Sequence, residues 1–340
     1  MSKRIVCFGE LLLRLGAPGR QLLLQSPTLD VHVGGAEANV AVSLACFGHR
    51  AAIASIVPDN ALGLAAVAEL RRHGVDTSAV RRTPDARMGL YFLTTGAIHR
   101  PTDVIYDRAN SAFSIAAVDA IDWAPVFADT DAFHISGVTP AVSANTADAA
   151  IRAVGAARAA GLSISFDGNF RAKLWAAWNG DAARITRTLM DHADLVFADH
   201  RDIAIALGWS PPDADPPIAI AAAADAAFKA FPRLRRLATT IRVQHNVDHH
   251  ALAAILITRD GAVHRTPDYD IVPIVDRIGG GDAFAAGVLH SLRSGMDDAA
   301  SLHFGLGAAC LKHSLPGDFN LVGADEVSAF IGTGRFDVRR

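Results

Sequence analysis

Short apolar runs alternate along the chain with longer alanine-rich segments of helical period. Near the N-terminus the pattern predicts strands at residues 5–8 and 51–57, with helices at 36–47 and 61–73. It recurs in the middle of the chain, as strands at 132–135, 163–167 and 195–198 followed by helices at 143–160, 181–192 and 201–208. Such alternation is typical of βαβ units with parallel strands. We therefore expect a doubly wound α/β fold, with a mostly parallel sheet flanked by helices.

Two segments break this alternation. Residues 11–33 and 87–108 alternate polar and apolar positions, contain Gly and Pro turns, and lack a helical period. This pattern is typical of strands with one exposed face. We expect the two segments to form a small β-sheet lid, inserted in a single domain that spans residues 1–340.

The composition indicates a small-molecule partner. The chain has 340 residues, 51% of them hydrophobic, so it can bury a large core. A formal charge of −3 gives no electrostatic footprint for nucleic acid or for an anionic membrane. The N-terminus runs into a strand pattern without the apolar segment of a signal peptide, and no apolar run reaches membrane-spanning length. We expect a cytoplasmic protein that binds neither nucleic acid nor membrane.

The most distinctive motif is Gly279-Gly280-Gly281-Asp282, which directly precedes a small-residue, apolar helix pattern at 283–292. Glycines let backbone amides point toward one anion, and the positive end of the helix dipole adds to their effect. A carboxylate would oppose an anion there, unless it takes a proton from a hydroxyl group that then attacks phosphorus. The motif therefore predicts a phosphate site with Asp282 as general base and the three glycine amides as anion hole.

Other interpretations of this motif exist. Asp282 could simply cap the helix, because Gly and Asp are common turn and N-cap residues. A dinucleotide-binding loop fits poorly, since Phe284 occupies the place of its third glycine. A P-loop is excluded because none of the four lysines follows a glycine. Capping and catalysis both stay open at this point.

Further polar residues follow other predicted strands or lie in the lid, and ligands of parallel sheets gather at the carboxyl ends of strands. Gly35 and Asn39 lie at a helix start, where they could reach a polyhydroxylated ligand or only form a turn. Arg171 follows a predicted strand, and Arg108 lies in the lid beside Tyr106. Two guanidinium groups suit an acid better than a neutral sugar, so they indicate a carboxylate-bearing substrate.

Asp199 and Asp202 follow the strand predicted at 195–198. Two acids three residues apart share one face of a helix. Their oxygens could hold hydrated Mg²⁺ beside nucleotide phosphates. Helix capping by Asp199 explains the same spacing equally well.

With these motifs in order, the chain resembles the ribokinase-like (PfkB) carbohydrate kinases over essentially its full length. The resemblance rests on two signatures, residues 34–41 and 276–287. Three further stretches narrow it to the 2-keto-3-deoxygluconate kinases of that family: 106–108, 167–175 and 312–320.

The resemblance implies transfer of the γ-phosphoryl group of ATP, with Mg²⁺, to a primary hydroxyl of a keto-deoxy sugar acid, with Asp282 as base. It also implies a homodimer or larger homo-oligomer formed through the lid. Matching by motif gives the implied substrate contacts: Gly35, Asn39, Tyr91, Tyr106, Arg108, Arg171 and Asp318. The same matching places the nucleotide near Asn169, Asp199, Asp202, Gly279 and Gly281, and the metal near Asp199 and Asp202.

Two segments depart from the family pattern. The usual Asn-x-x-Glu near Mg²⁺ is Asp199-His200-Arg201-Asp202 here, and the nucleotide-side segment at 240–248 lacks its usual glycine-containing turn. Two other functions stay open. The chain could be a kinase of a neutral ketose or nucleoside, or a kinase-like regulatory protein that binds a sugar acid.

Overall fold

The computed structural model describes residues 3–212 and 215–333. Its strands are β1 (Arg4–Phe8), β2 (Leu12–Gly16), β3 (Asp30–Gly34), β4 (Ala51–Pro58), β5 (Asp76–Thr83), β6 (Gly89–Thr94), β7 (Asp103–Asp107), β8 (Thr130–Ser136), β9 (Ser163–Asp167), β10 (Leu195–Phe197), β11 (Arg236–Asn246), β12 (His249–Thr258), β13 (Val263–Arg265) and β14 (Tyr269–Ile271). Its helices are α1 (Ala36–Cys46), α2 (Ala61–Arg72), α3 (Trp123–Phe127), α4 (Val138–Ala141), α5 (Ala144–Ala159), α6 (Ala172–Ala176), α7 (Ala182–His192), α8 (His200–Leu207), α9 (Pro216–Ala230), α10 (Gly280–Arg293), α11 (Asp298–Lys312) and α12 (Ala324–Thr333).

The main sheet has the strand order β13-β12-β11-β10-β9-β8-β1-β4-β5, and β14 also pairs with β12. The strands from β11 to β5 in this order pair in parallel, whereas β12 pairs antiparallel with each of its neighbours. The predicted doubly wound, mostly parallel sheet is confirmed.

Each face of the main sheet carries its own apolar core. Alternate residues of β1 belong to different cores, because successive side chains of a strand point to opposite faces of the sheet. Val6 and Phe8 pack with α5, α7 and α9, whereas Ile5 and Cys7 pack with α1, α2, α10 and α11. None of the helices within residues 3–212 and 215–333 is long and apolar enough to cross a membrane.

A second sheet of four strands has the order β3-β2-β6-β7. Its strands lie within the two segments that the sequence pattern assigns to the lid, except that β3 runs one residue further, to Gly34. Leu12, Tyr91 and Leu93 form a small buried cluster on this sheet, and Ile278 of the glycine motif packs against them. The lid sheet therefore reaches the start of α10, where the sequence predicts the phosphate site.

Candidate active site

The glycine motif forms the start of α10. Gly279 has a φ of 80°, and a Cβ there would lie 2.0 Å from the carbonyl oxygen of Asp318, so only glycine fits. The amide of Gly280 contacts the carbonyl oxygen of Arg277 at 3.3 Å, and that of Ala283 donates to the carbonyl oxygen of Gly279. The amides between them, of Gly281 and Asp282, belong to the first helical turn, where helices lack intrahelical acceptors. This helix end therefore suits an anion, with Gly281 better placed than Gly280 to bind it.

Asp282 does not cap the helix, so the capping interpretation is wrong. The N-cap of α10 is Gly279, and among the described residues no side-chain hydrogen bond caps this helix end. Instead, Asn39 of α1 donates a hydrogen bond of 2.6 Å to Asp282 Oδ2. Burial raises the pKa of Asp282 to about 7, against the opposing effect of the Asn39 hydrogen bond. The carboxyl group can therefore exchange a proton near neutral pH.

Glu37 fixes the helix that carries Asn39, and the sequence interpretation missed it. Its Oε1 accepts hydrogen bonds of 2.8 Å from the amide and hydroxyl of Ser136 and from the hydroxyl of Thr139. Burial raises the pKa of Glu37, while these bonds lower it. They tie α1 to the end of β8. The only sequence signal was a lone acid within an apolar helix pattern.

Arg108, just after β7, is held by a second acid that was not predicted. Its Nε donates to Glu10 Oε2 at 2.6 Å, and the hydroxyl of Ser111 donates to Glu10 Oε1 at 2.5 Å. Both members of the ion pair are buried. Gly89 makes room for it, because a Cβ there would lie 2.3 Å from Glu10 Oε1. The ion pair fixes the Nε edge of the Arg108 guanidinium and so sets the direction in which its terminal nitrogens point.

Tyr91 and Asp318 meet in a buried network between the lid and the helical body. The Tyr91 hydroxyl donates to Asp318 Oδ2 at 2.7 Å, and Arg14 NH1 lies 3.2 Å from Asp318 Oδ1. Arg14 NH2 also contacts Asp276 Oδ2 at 2.7 Å. Burial raises the pKa of Asp318, an effect that Arg14 and the Tyr91 hydrogen bond oppose. Tyr106 pairs with Tyr91 across β6 and β7, so both predicted tyrosines lie side by side.

Gly35 leaves β3 for α1 with a φ of 138°, and a Cβ there would lie 2.2 Å from the carbonyl oxygen of Glu10. The backbone of this turn and the chain beside Glu10 therefore approach each other closely. Such contact requires glycine. Gly35 thereby brings α1, with Asn39, against the segment that carries Glu10.

A cleft of about 640 Å³ opens in front of α10. It lies beyond the carboxyl ends of β9 and β10, where parallel sheets bind ligands. Asp167, Asn169 and Arg171 line it on one side, and Gly280 and Gly281 line it on another. Arg171 is exposed, whereas Arg108 is not part of this cleft. The two predicted arginines therefore differ in setting. Arg108 is held in a buried ion pair with Glu10, whereas Arg171 is exposed at the cleft.

Asp199 and Asp202 form a capping box at the start of α8. Asp199 accepts from the amides of Arg201 and Asp202 and pairs with the Arg201 side chain, and Asp202 Oδ2 accepts from the Asp199 amide at 3.0 Å. Capping is thus what the structure supports for Asp199, whose oxygens are both engaged. Burial first, and Asp199 next, raise the pKa of Asp202 to about 6.

Carboxylates crowd together on this side of the cleft. Burial, Asp282 and Asp202 raise the pKa of Asp167 well above its ordinary value, whereas Arg171 lowers it. A cation bound here would relieve the repulsion between the acids. Asp167 and Asp202 therefore fit hydrated Mg²⁺ better than Asp199 does, because carboxylate oxygens are the donors that Mg²⁺ prefers.

One other group of side chains among the described residues could hold a metal ion. Ligand atoms of His245, His249 and Asp270 lie within 4.8 Å of one another near the β11–β12 turn. His249 Nε2 and Asp270 Oδ1 are already paired at 2.6 Å, and none of the three lines the cleft. This group is therefore separate from the phosphate site.

Known proteins share this sequence and architecture. The chain is 34% identical over 343 residues to the 2-dehydro-3-deoxygalactonokinase of Haloferax volcanii, with all of both chains covered. It is 30% identical to the 2-dehydro-3-deoxygluconokinase of Thermoproteus tenax, over 92% of this chain and 89% of that one. The crystal structure of the 2-dehydro-3-deoxygluconokinase of Thermotoga maritima superposes with a TM-score of 0.91 at 34% identity, over 97% and 99% of the two chains.

The sheet, the lid and the carboxylate at the glycine turn define a carbohydrate kinase, and these relatives agree. The chain belongs to the pfkB family of carbohydrate kinases, whose family model matches residues 2–320. The predicted family is thereby confirmed.

Proposed function

We propose that this kinase transfers the γ-phosphoryl group of ATP to the primary hydroxyl of a 2-keto-3-deoxy sugar acid, most specifically 2-keto-3-deoxygluconate to its 6-phosphate. One observation carries the proposal. The buried carboxyl of Asp282, with a pKa of about 7, is held by Asn39 at a helix end whose amides suit an anion. The names of the relatives from Haloferax and Thermoproteus, which are kinases of 2-dehydro-3-deoxy acids, support the substrate class.

Asp282 would take the proton of the primary hydroxyl as the hydroxyl oxygen attacks the γ-phosphorus. The amides of Gly281 and Asp282 would hold the charge that develops on the transferred group. A Mg²⁺ ion beside Asp202 and Asp167 would neutralise phosphate charge. Asn39 orients the carboxylate, which matters because phosphoryl transfer depends mainly on in-line positioning.

Arg108 and Arg171 would hold the carboxylate of the sugar acid. Glu10 pairs with the Nε edge of Arg108. Among the described residues no other hydrogen bond to this guanidinium is found, so its terminal nitrogens can face a substrate carboxylate in a bidentate manner. Tyr91, Tyr106 and Asp318 would contact the hydroxyl groups, and Asn169 would contact the nucleotide from the cleft wall. Lid closure over the sugar would exclude water from the reaction.

The pH dependence of the rate follows from Asp282. Only the carboxylate form accepts a proton, and its pKa is raised to about 7. We expect kcat/KM to rise about tenfold per pH unit below pH 7 and to level off above it. A profile measured from pH 5 to 9 that stays flat between pH 5.5 and 8 would contradict this role.

Lid-mediated assembly is supported by apolar side chains on both edge strands of the lid sheet. Val31 of β3 is 58% exposed and Ile105 of β7 is 50% exposed. Such edges favour pairing with another copy. We expect a homodimer by light scattering, and Ile105→Asp should shift it to monomer while Leu62→Asp, on the exposed face of α2, should not. Equal behaviour of the two variants would contradict a lid interface.

A substrate panel tests the proposed function. With ATP and Mg²⁺, 2-keto-3-deoxygluconate and its galactonate epimer should be phosphorylated with much higher kcat/KM than fructose, ribose or a nucleoside. Preference for a neutral substrate would instead indicate a ketose or nucleoside kinase. Calorimetric binding of the acid without any binding of ATP would indicate a regulatory protein.

A further inference from the structure

The cleft in front of α10 has more arginines than its acids can neutralise. Arg171, Arg201, Arg242 and Arg277 all line it. Arg201 pairs with Asp199, and Arg171 lies among the carboxylates of Asp167 and Asp202, whose pKa values it lowers. Within the part of the chain that the structure describes, the side chains of Arg242 and Arg277 have no acidic partner at hydrogen-bond distance.

Arg242 and Arg277 come from different elements and approach each other. Arg242 lies on β11, and Arg277 lies two residues before the N-cap of α10. Neither guanidinium group has a hydrogen bond or ion pair with any residue in the ranges 3–212 and 215–333. The pKa of each guanidinium is lowered, first by desolvation and then by neighbouring arginines, which include Arg277 in the case of Arg242. Like charges held together in this way favour binding of an anion.

The adjacent acid, Asp276, offsets only part of this repulsion, because it raises the pKa of Arg277 and yet that pKa stays below its ordinary value. Asp276 precedes Arg277, but its Oδ2 is bound by Arg14 and by the amide of Gly317. Its Oδ1 accepts from the amide of Ile278. Both oxygens of Asp276 are thus engaged by other groups. An anionic ligand would supply the counter-charge that Arg242 and Arg277 lack.

The surroundings of the two guanidinium groups fit a polyphosphate. The carbonyl of Arg277 accepts from the Gly280 amide, so this arginine belongs to the same turn as the predicted anion hole. The cleft volume of about 640 Å³ lies within the range of nucleotide-sized sites. Thr239 and Thr240 add hydroxyl groups beside Arg242. No lysine follows a glycine in this chain, so a P-loop lysine is not available to face the phosphates.

We propose that Arg242 and Arg277 form the cationic clamp for the β- and γ-phosphates of the nucleoside triphosphate, in the place of a phosphate-binding lysine. The assignment rests on the proposed function in taking ATP as the phosphate donor. It also gives the segment at 240–248 a role: β11 continues through it as far as Asn246 and would present Arg242 to the phosphate donor.

Calorimetry of nucleotide binding, with Mg²⁺ and without sugar acid, tests the clamp independently of catalysis. Arg242→Gln and Arg277→Gln should each raise the Kd of ATP about tenfold or more, and the Kd of AMP by less than about threefold, because AMP lacks the clamped phosphates. Arg277→Lys should restore part of the affinity. Arg187→Gln, at an exposed arginine of α7, serves as the matched control and should bind ATP like the wild type. In steady-state assays, KM for the sugar acid should stay within about twofold.

Three results would overturn the clamp. They are an unchanged Kd of ATP in the double variant Arg242→Gln/Arg277→Gln, an equal loss of affinity for AMP and ATP, or a wild-type protein that binds no nucleoside triphosphate. If arginine-dependent ATP binding is found without phosphorylation of any sugar acid, the clamp stands and the proposed function fails. If the acid is phosphorylated and both Gln variants bind ATP normally, the function stands and the clamp fails.

Discussion

Asp282→Asn should lower kcat by about 10³- to 10⁴-fold, because the amide cannot accept the proton of the attacking hydroxyl. The substitution keeps the size of the side chain, and Asn39 can still donate to an amide oxygen in place of Oδ2. KM for the sugar acid should change little. Asp148→Asn, at an exposed acid of α5, is the matched control and should keep full activity.

The same variant should also be more stable than the wild type at alkaline pH. The folded-state pKa of Asp282, about 7, lies above its ordinary value of 3.8, so folding disfavours the carboxylate form. The cost to folding is fully present above pH 7 and disappears below pH 3.8. Asp282→Asn removes it, by an amount on the order of a few kcal/mol. A higher Tm of the variant at pH 8, and no difference in Tm near pH 4, would confirm this. In the activity assay, near-normal turnover of the variant would exclude Asp282 as base.

Arg171→Ala should remove most of the preference for an acid substrate without affecting the fold. Arg171 is exposed, and among the described residues the only hydrogen bond of its side chain goes from NH1 to the adjacent Phe170 carbonyl. Loss of one charge-assisted contact should raise KM for 2-keto-3-deoxygluconate about 10- to 100-fold. Weak turnover of fructose should be unchanged, since it has no carboxylate. Arg184→Ala, at an exposed arginine of α7, provides the control for charge removal.

Arg108→Ala should give a different result, because Arg108 also supports the fold. Removing it leaves the buried Glu10 without its ion-pair partner, which typically costs about 3–5 kcal/mol. The double variant Arg108→Gln/Glu10→Gln removes the charge of both partners. It therefore separates the effect of Arg108 on substrate selectivity from its effect on stability. It should keep a Tm close to that of the wild type and still lose selectivity for the acid. Retained selectivity in both the Arg171 variant and this pair would contradict a carboxylate site.

Local pattern was enough to predict much of the fold. The βαβ alternation gave β1, α1, β4 and α2 within one or two residues, because each element carries its own periodicity and turn signals. Gly279 was also recognised from local sequence, since an N-cap residue with a positive φ favours glycine. The alternating segments likewise predicted a second sheet.

The contacts that assemble the site could not be predicted in this way. Asn39 and Asp282 are 243 residues apart, and Tyr91 and Asp318 are 227 apart. These contacts depend on the order of strands in the sheet, which periodicity does not encode. Glu10 and Glu37 were missed for a related reason. Each lies within an apolar stretch and acts only through partners from other elements.

The most direct test of sugar-acid phosphorylation is ³¹P NMR of a mixture of purified protein, ATP, Mg²⁺ and 2-keto-3-deoxygluconate, with the Asp282→Asn protein in parallel. We expect ADP and a phosphomonoester on the C6 oxygen to appear together in equal amounts with the wild type, and neither with the variant. Formation of ADP without a sugar phosphate, or no reaction with any keto-deoxy acid, would contradict the proposed function.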